Sequence, residues 1–270
     1  MLGIERRRAL AGLLDENPIL TVEDLARRFD VSTQTIRRDF QDLERRGLLT
    51  RRYGGAVARS ADMHGPLNRE GAFGAREGEH TAQKEAIARC ALALVVPGST
   101  VILDASTTVL ALARLLPREI ALTAIVNALP VVMELSRRPN VTTTTLGGTL
   151  RQTSLSCSGP IAEASLRRLF ADTAFISARG LSLGRGLTEA NPAEAALKEI
   201  MLANATRVVA LVDSSKLGRP ALSFFAPVAR LDVLVTDDGA DAVLLDRLRA
   251  GGTEVRVAPL SLGEEPPPLT

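Results

Sequence analysis

Thr33, Gln34, Arg37, Arg38 and Gln41 fall within nine residues, and their types suit contact with a polyanion that carries readable edges. Arginine forks onto guanine, glutamine pairs with adenine, and threonine or arginine reaches phosphate oxygens. In a helix, Ile36, Phe40 and Leu43 at i, i+4 and i+7 form the opposite, inward-packing side. Ser32 stands where a helix cap belongs, its hydroxyl placed to accept the N–H of Gln34 or Thr35.

A second set of polar residues follows apolar runs: Asp104-Ala105-Ser106-Thr107-Thr108, Asn127, Gly147-Gly148-Thr149, Arg179-Gly180, Asp213-Ser214-Ser215-Lys216 and Asp237-Asp238. If those runs are parallel strands, their carboxyl ends share one edge of a sheet, where such folds bind ligands. Ser106-Thr107-Thr108 also opens a predicted helix, so hydroxyls and N–H groups meet in a way that suits a phosphate. The chain has 30 Arg and only 3 Lys, namely Lys84, Lys198 and Lys216. A lysine kept against that bias fits a place needing a compact, flexible ammonium. Lys216 supplies such a charge beside the strand-end loops. Turns are rich in Ser, Thr, Gly and Asp in any protein, so the convergence of several loops carries this reading, not any one of them.

The elements that must position the first set are short. Ile4 to Leu14 reads as a helix ended by Asn17-Pro18. Thr21-Val22-Glu23-Asp24 is a cap with a carboxylate three residues on, opening a second helix whose buried stripe is Leu25, Ala26 and Phe29. Asp30-Val31 turns into the capped third helix, and the pair forms a helix-turn-helix. Gly47 stops that helix, Leu48 to Tyr53 reads as a strand, and Gly54-Gly55 returns the chain into Ala56-Val57, a basic two-stranded wing holding Arg51 and Arg52. Residues 32–59 carry seven arginines against three acids, although the whole chain is only +2. Such local basicity points to a nucleic acid.

The second set needs a larger frame. Residues 59–80, with four glycines and both histidines, His64 and His80, read as a linker. From Thr81 helices and strands alternate. The helices span 83–96, 107–116, 129–136, 160–170, 192–205 and 240–250. The strands span 101–103, 122–126, 141–146, 174–177, 208–212, 231–236 and 254–257. This pattern gives a largely parallel sheet covered on both faces. The reading is an α/β chain with a DNA-binding domain at 1–58, a linker at 59–80, a ligand-sensing domain at 81–260 and a flexible, proline-rich tail at 261–270. With 270 residues, 46% of them apolar, there is ample material for such a core. Cys90 and Cys157 have no metal-type spacing, and neither histidine has a ligand partner, so no metal or cofactor is expected. There is no apolar run of membrane-spanning length and no export signal, which leads us to expect a soluble, cytoplasmic protein.

The string Ser32-Thr33-Gln34-Thr35-Ile36-Arg37-Arg38-Asp39, with Leu43-Glu44, Gly47-Leu48-Leu49 and Gly54-Gly55-Ala56, resembles the winged helix-turn-helix of DeoR-type bacterial transcriptional regulators over residues 4–58. Lys84-Glu85-Ala86-Ile87-Ala88, Asp104 to Thr108, Leu146-Gly147-Gly148, Gly186-Leu187-Thr188 through Glu194 to Lys198, and Asp213 to Lys216 resemble that family's sensor domain over roughly 81–240. In fold that domain is similar to ribose-5-phosphate isomerase. Ala105-Ser106 replaces a more usual Ser-Gly, and Ser177 stands where Gly is common. The resemblance implies a transcriptional regulator, most often a repressor, acting as a homo-oligomer on a double-stranded DNA operator and controlled by a phosphorylated sugar or related metabolite. The expected DNA contacts are Ser32, Thr33, Gln34, Thr35, Arg37, Arg38, Gln41, Arg51 and Arg52. The expected effector contacts are Asp104, Ser106, Thr107, Thr108, Asn127, Gly147, Gly148, Lys198, Asp213 and Lys216.

Two other functions compete. An isomerase needs an acid and a base, roles open to Glu189, Glu194, Asp104 and Lys198, but the sheet region has no histidine and such an enzyme has little use for residues 32–57. A non-specific DNA-coating protein fits poorly with so large a ligand-binding-like domain.

Overall fold

The computed structural model describes residues 6, 9–10, 19–45, 49–52, 55–58 and 71–260. The chain divides into two compact units, Met1–Arg69 and Glu70–Thr270. The turn at Gly47, the residues Tyr53-Gly54, most of the first helix and the tail lie outside the described residues.

In the first unit, helices α1 (Val22–Phe29) and α2 (Thr33–Arg45) are joined by three residues. Thr21 Oγ1 accepts the Asp24 N–H at 3.2 Å and so caps α1. Asp30, left-handed at φ 50°, ends α1 by turning its N–H onto the Ala26 and Arg27 carbonyls. Ser32 Oγ accepts the Thr35 N–H at 3.2 Å and starts α2. Leu10, Val22, Leu25, Ile36, Phe40 and Leu43 form the core. Behind α2, Arg6 Nε meets Asp39 Oδ2 at 2.6 Å, both side chains buried. Strands β2 (Leu49–Arg52) and β3 (Gly55–Ala58) pair antiparallel as the expected wing. A strand not foreseen, β1 (Ile19–Thr21), adds to β3.

The second unit is a seven-stranded, all-parallel sheet between two helical layers. Its strands are β4 (Thr100–Leu103), β5 (Leu122–Val126), β6 (Val141–Thr145), β9 (Ala171–Ile176), β12 (Ala205–Leu211), β14 (Val233–Asp237) and β15 (Glu254–Ala258), in the spatial order β15-β14-β12-β9-β4-β5-β6. Alternation along the strands feeds two cores. Val101 and Leu103 face one core with α4 (Thr81–Leu92), α5 (Thr107–Leu115) and α6 (Leu129–Leu135). Ile102 and Ile125 face the other with α7 (Pro160–Leu166), α8 (Pro192–Ala203) and α9 (Ala242–Ala250).

Several pieces differ from the sequence expectation. Residues 71–80 are not simply linker: α3 (Phe73–Gly78) forms there, and Phe73 is buried in the first of the two cores. A hairpin of β7 (Thr149–Arg151) and β8 (Ser156–Ser158) follows β6. A small antiparallel sheet of β10 (Gly180–Ser182), β11 (Gly186–Glu189) and β13 (Ser223–Ala226) lies beyond the ends of β9 and β12. Gly186 takes φ +65°, and a Cβ there would lie 2.3 Å from the Ala226 carbonyl oxygen, so this sheet needs glycine at that position.

Candidate functional site

In the first unit, Ser32, Thr33, Gln34, Arg37, Arg38 and Gln41 are exposed and Thr35 is half-buried, while Ile36, Phe40 and Leu43 point inward. The exposed set covers the first half of α2, the part of a recognition helix that enters a major groove. Arg51 and Arg52 lie on β2, where backbone pairing sets them against Ala56 and Gly55.

In the second unit, strand order reverses between β4 and β9: the chain moves outward one way through β5 and β6, and the other way through β9, β12, β14 and β15. A cavity opens at that switch point, as expected for an open parallel sheet. It spans about 530 Å³ when the open space at its mouth is included. Ala105, Ser106 and Thr107 after β4, Ser177 to Arg179 after β9, and Asp213 and Lys216 after β12 line it, with Glu189, Glu194 and Lys198 from β11 and α8.

Asp104 is the knot under this cavity. Fully buried, it accepts the Ser106 N–H at 3.0 Å and the Ser177 N–H at 2.7 Å, binding the ends of β4 and β9 together. Lys198 Nζ lies 3.0 Å from Asp104 Oδ2, donates to Glu189 Oε2 at 2.7 Å and to the Ser177 carbonyl at 2.7 Å. Burial alone pushes the Lys198 ammonium toward neutrality, but Asp104, Glu189 and Glu194 outweigh it and raise its pKa above the ordinary lysine value. Burial likewise disfavours the Glu189 carboxylate, and Lys198 more than offsets this, leaving its pKa lowered. Glu194 accepts from Arg151 Nη1 at 2.8 Å and Ser156 Oγ at 2.5 Å. Asp213 pairs with Lys216 at 3.0 Å and accepts from Ser215 Oγ. Desolvation raises the Asp213 pKa, but Lys216 and Ser215 bring it below the usual carboxylate value.

Not every expected residue reaches the cavity. Asn127 follows β5 and is buried, donating to the Cys157 carbonyl at 3.2 Å, because the β7–β8 hairpin covers that end of the sheet. Gly147 and Gly148 follow β6, the outermost strand on that side. Gly148 serves close packing instead: at φ +121°, a Cβ would sit 2.7 Å from the Ser158 carbonyl oxygen. Thr108 is fully buried and does not line the cavity, and Asp237 turns back to accept the Ser214 N–H at 2.6 Å.

Other lining residues come from the end of the stretch read as linker and from the helix that follows it. Arg76, Glu79, His80 and Lys84 form one wall. The buried Lys84 ammonium donates to the Arg76 and Glu79 carbonyls at the end of α3. Desolvation, then the nearby Lys216 charge, lower its pKa to about 8. The scarcity of lysine was the sequence signal for Lys84; Arg76, one arginine among thirty, had none.

A family model described as the DeoR C terminal sensor domain matches residues 79–238, and one described as the DeoR-like helix-turn-helix domain matches residues 6–62. The chain belongs to the DeoR family. Family membership makes it a DNA-binding transcriptional regulator, with both halves of the DeoR architecture on one chain. The HTH-type transcriptional regulator YulB of Bacillus subtilis is 34% identical over 97% of this chain and 99% of its own length. The transcriptional repressor AccR of Agrobacterium fabrum is 33% identical over 89% of this chain and 92% of its own. Among solved structures, a ribose 5-phosphate isomerase A from Methanocaldococcus jannaschii overlays at a TM-score of 0.37 with 21% identity, over 50% of this chain and 53% of that one. Among the described residues, no helix is long and apolar enough to cross a membrane, and no cluster of potential metal ligands occurs. Within the DeoR sensor match lies every cavity residue except Arg76.

Proposed function

We propose that this regulator is a repressor of a carbohydrate operon, that Ser32, Thr33, Gln34, Thr35, Arg37, Arg38 and Gln41 of α2 with Arg51 and Arg52 of the wing contact its operator, and that a phosphorylated sugar in the switch-point cavity alters that binding. The observation that carries the effector reading is the meeting of the α5 N-terminus, with Ser106 and Thr107, and the cations Arg76, Lys84 and Lys216 around one cavity. N–H groups in a helix's first turn lack intrahelical acceptors, and a phosphate satisfies them and the cations together. The cavity also holds carboxylates, but Glu189 pairs with Lys198, Asp213 with Lys216 and Glu194 with Arg151.

The cavity binds and does not turn over its ligand in this reading. Lys198 is committed to Asp104 and Glu189, and Glu194 to Arg151 and Ser156, so the residues that an isomerase needs as acid and base serve the framework. A homo-oligomer acting in the cytoplasm completes the proposal, its paired recognition helices reading a repeated site.

The test is operator binding followed by fluorescence anisotropy with the DNA upstream of the chain's own gene, with and without a panel of sugar phosphates. Salt-sensitive, sequence-specific binding that one sugar phosphate weakens is the expected result. Equal affinity for unrelated DNA at physiological salt sinks the regulator reading, and measurable turnover of ribose 5-phosphate sinks the non-enzymatic one.

A further inference from the structure

We propose that Arg76 contacts the anionic group of the effector, and that α3, which carries it, is the element through which occupancy of the cavity is passed toward the DNA-binding unit. The inference rests on the reading of the cavity as a sugar-phosphate site and adds its transmitting part.

Arg76 is half-buried and held on one side by the protein. Its Nε donates to the Gly71 carbonyl at 3.0 Å, and its guanidinium carbon lies 5.6 Å from the centre of the Phe73 ring. Phe73 is buried, so the ring fixes the guanidinium to the sheet unit's core. Arg76 lines the cavity, and its buried Nη2 atom has no hydrogen-bond partner among the described residues. A buried charged donor left without an acceptor is unfavourable, and an anion delivered to the cavity removes that cost. Two lysines of the wall already have carboxylate partners, Lys198 in Asp104 and Glu189 and Lys216 in Asp213.

α3 suits transmission because polar contacts hold it. It has six residues, too few to persist as a helix by itself. The Phe73 N–H donates to the Thr153 carbonyl at 2.7 Å, Glu77 pairs with Arg114 of α5 at 2.6 Å, and the Lys84 ammonium holds the Arg76 and Glu79 carbonyls. An anion that draws Arg76 and Lys84 toward the cavity competes with those carbonyls for the same ammonium. The shift falls on the stretch that continues, through residues 59–70, into strand β3 of the wing. An effector thus has different interaction energy with two positions of α3, which coupling requires.

The test uses the full-length protein and a panel of aldose and ketose phosphates with the matching free sugars, the phosphate giving the largest thermal stabilisation serving as the probe. In the wild type, hydrogen exchange of residues 71–80 is expected to slow on adding the probe, together with residues 105–109. Arg76→Gln is expected to weaken probe binding by roughly tenfold or more, with Arg76→Lys between the two. The ratio of operator affinity with and without probe should fall toward one in the same order. Protection at 105–109 with none at 71–80, or unchanged probe affinity in Arg76→Gln, overturns the role of Arg76 and leaves the cavity reading standing. If no sugar phosphate stabilises the wild type, the cavity reading fails and this inference with it. The exchange experiment needs no variant, so a misfolded Arg76→Gln cannot hide the answer.

Discussion

Lys198 and Asp104 stand 3.0 Å apart with side chains almost fully enclosed, and through them helix α8 is locked to the carboxyl end of the interior strand β4. Asp104→Asn removes one of the two carboxylates that face the buried Lys198, and with it the charge that accepts the Ser106 and Ser177 N–H groups. Asp104→Asn is expected to destabilise the sheet unit by about 3–5 kcal/mol, read as a lowered midpoint in urea unfolding. The pH dependence follows from the directions of the shifts. Lys198 has a raised folded pKa, so its contribution is complete below the unfolded lysine value and is lost only as pH rises through the folded one. Asp213 and Glu189 have lowered folded values, so their contributions hold above the unfolded carboxylate range and vanish as pH falls through the folded values. Stability should therefore be flat with respect to these three groups near neutrality and fall in acid. A steep loss between pH 6 and 8 in the wild type, absent from Asp213→Asn, contradicts this assignment.

On the DNA side, Arg37→Ala and Arg38→Ala are each expected to weaken operator binding by about 1–3 kcal/mol without changing the melting curve, because both side chains are exposed. Salt titration separates their roles. A phosphate contact lowers the salt slope by about one, whereas a base contact leaves it and relaxes sequence preference. Unchanged affinity in both variants removes α2 from the groove.

Behind the same helix, Arg6 and Asp39 form a buried pair at 2.6 Å. Arg6→Met is expected to cost about 3–5 kcal/mol in the first unit and to reduce operator affinity even though residue 6 is not among the proposed DNA contacts. Calorimetry should show the loss confined to one transition, and an unshifted thermogram defeats the prediction.

Lys84 gives the cavity a pH response. With its pKa lowered to about 8 by burial and by Lys216, it is part-neutral in mildly alkaline solution. Asp213 and Glu79 favour its charge, and Arg76 opposes it. A bound anion favours the ammonium and raises that pKa, so binding takes up a proton, and affinity should fall as pH rises above about 8. Isothermal titration between pH 7 and 9.5 in buffers of different ionisation enthalpy measures the uptake. Lys84→Arg, charged throughout, should flatten the profile, and an equally steep profile there rules Lys84 out.

The sheet was legible because its strands are short apolar runs between turn residues, such as Val101-Ile102-Leu103 before Asp104, and the parallel order follows from the helices between them. The three-residue strands β7, β8 and β10 were not, since their residues pair only because distant segments arrive beside them. For the cavity, the rule about strand ends brought Asp104, Ser106, Thr107, Asp213 and Lys216 to the right edge of the sheet, but spatial strand order is not written in local pattern. Asn127 and Gly148 therefore looked equivalent to Ser106 in sequence, although the hairpin takes up both. Arg76 was hidden for another reason: α3 has one deeply buried apolar anchor, Phe73, and takes its place from Thr153 and Arg114, far along the chain.

The wall of the cavity is made of two kinds of parts. The sheet-borne charges, Asp104 with Lys198 and Glu189 and Asp213 with Lys216, are paired with one another. The run from α3 into the start of α4 supplies Arg76, Glu79, His80 and Lys84 within nine residues. With the proposed effector in this cavity, substitutions confined to that run would, after gene duplication, redirect one copy to a different metabolite while the load-carrying sheet stays untouched.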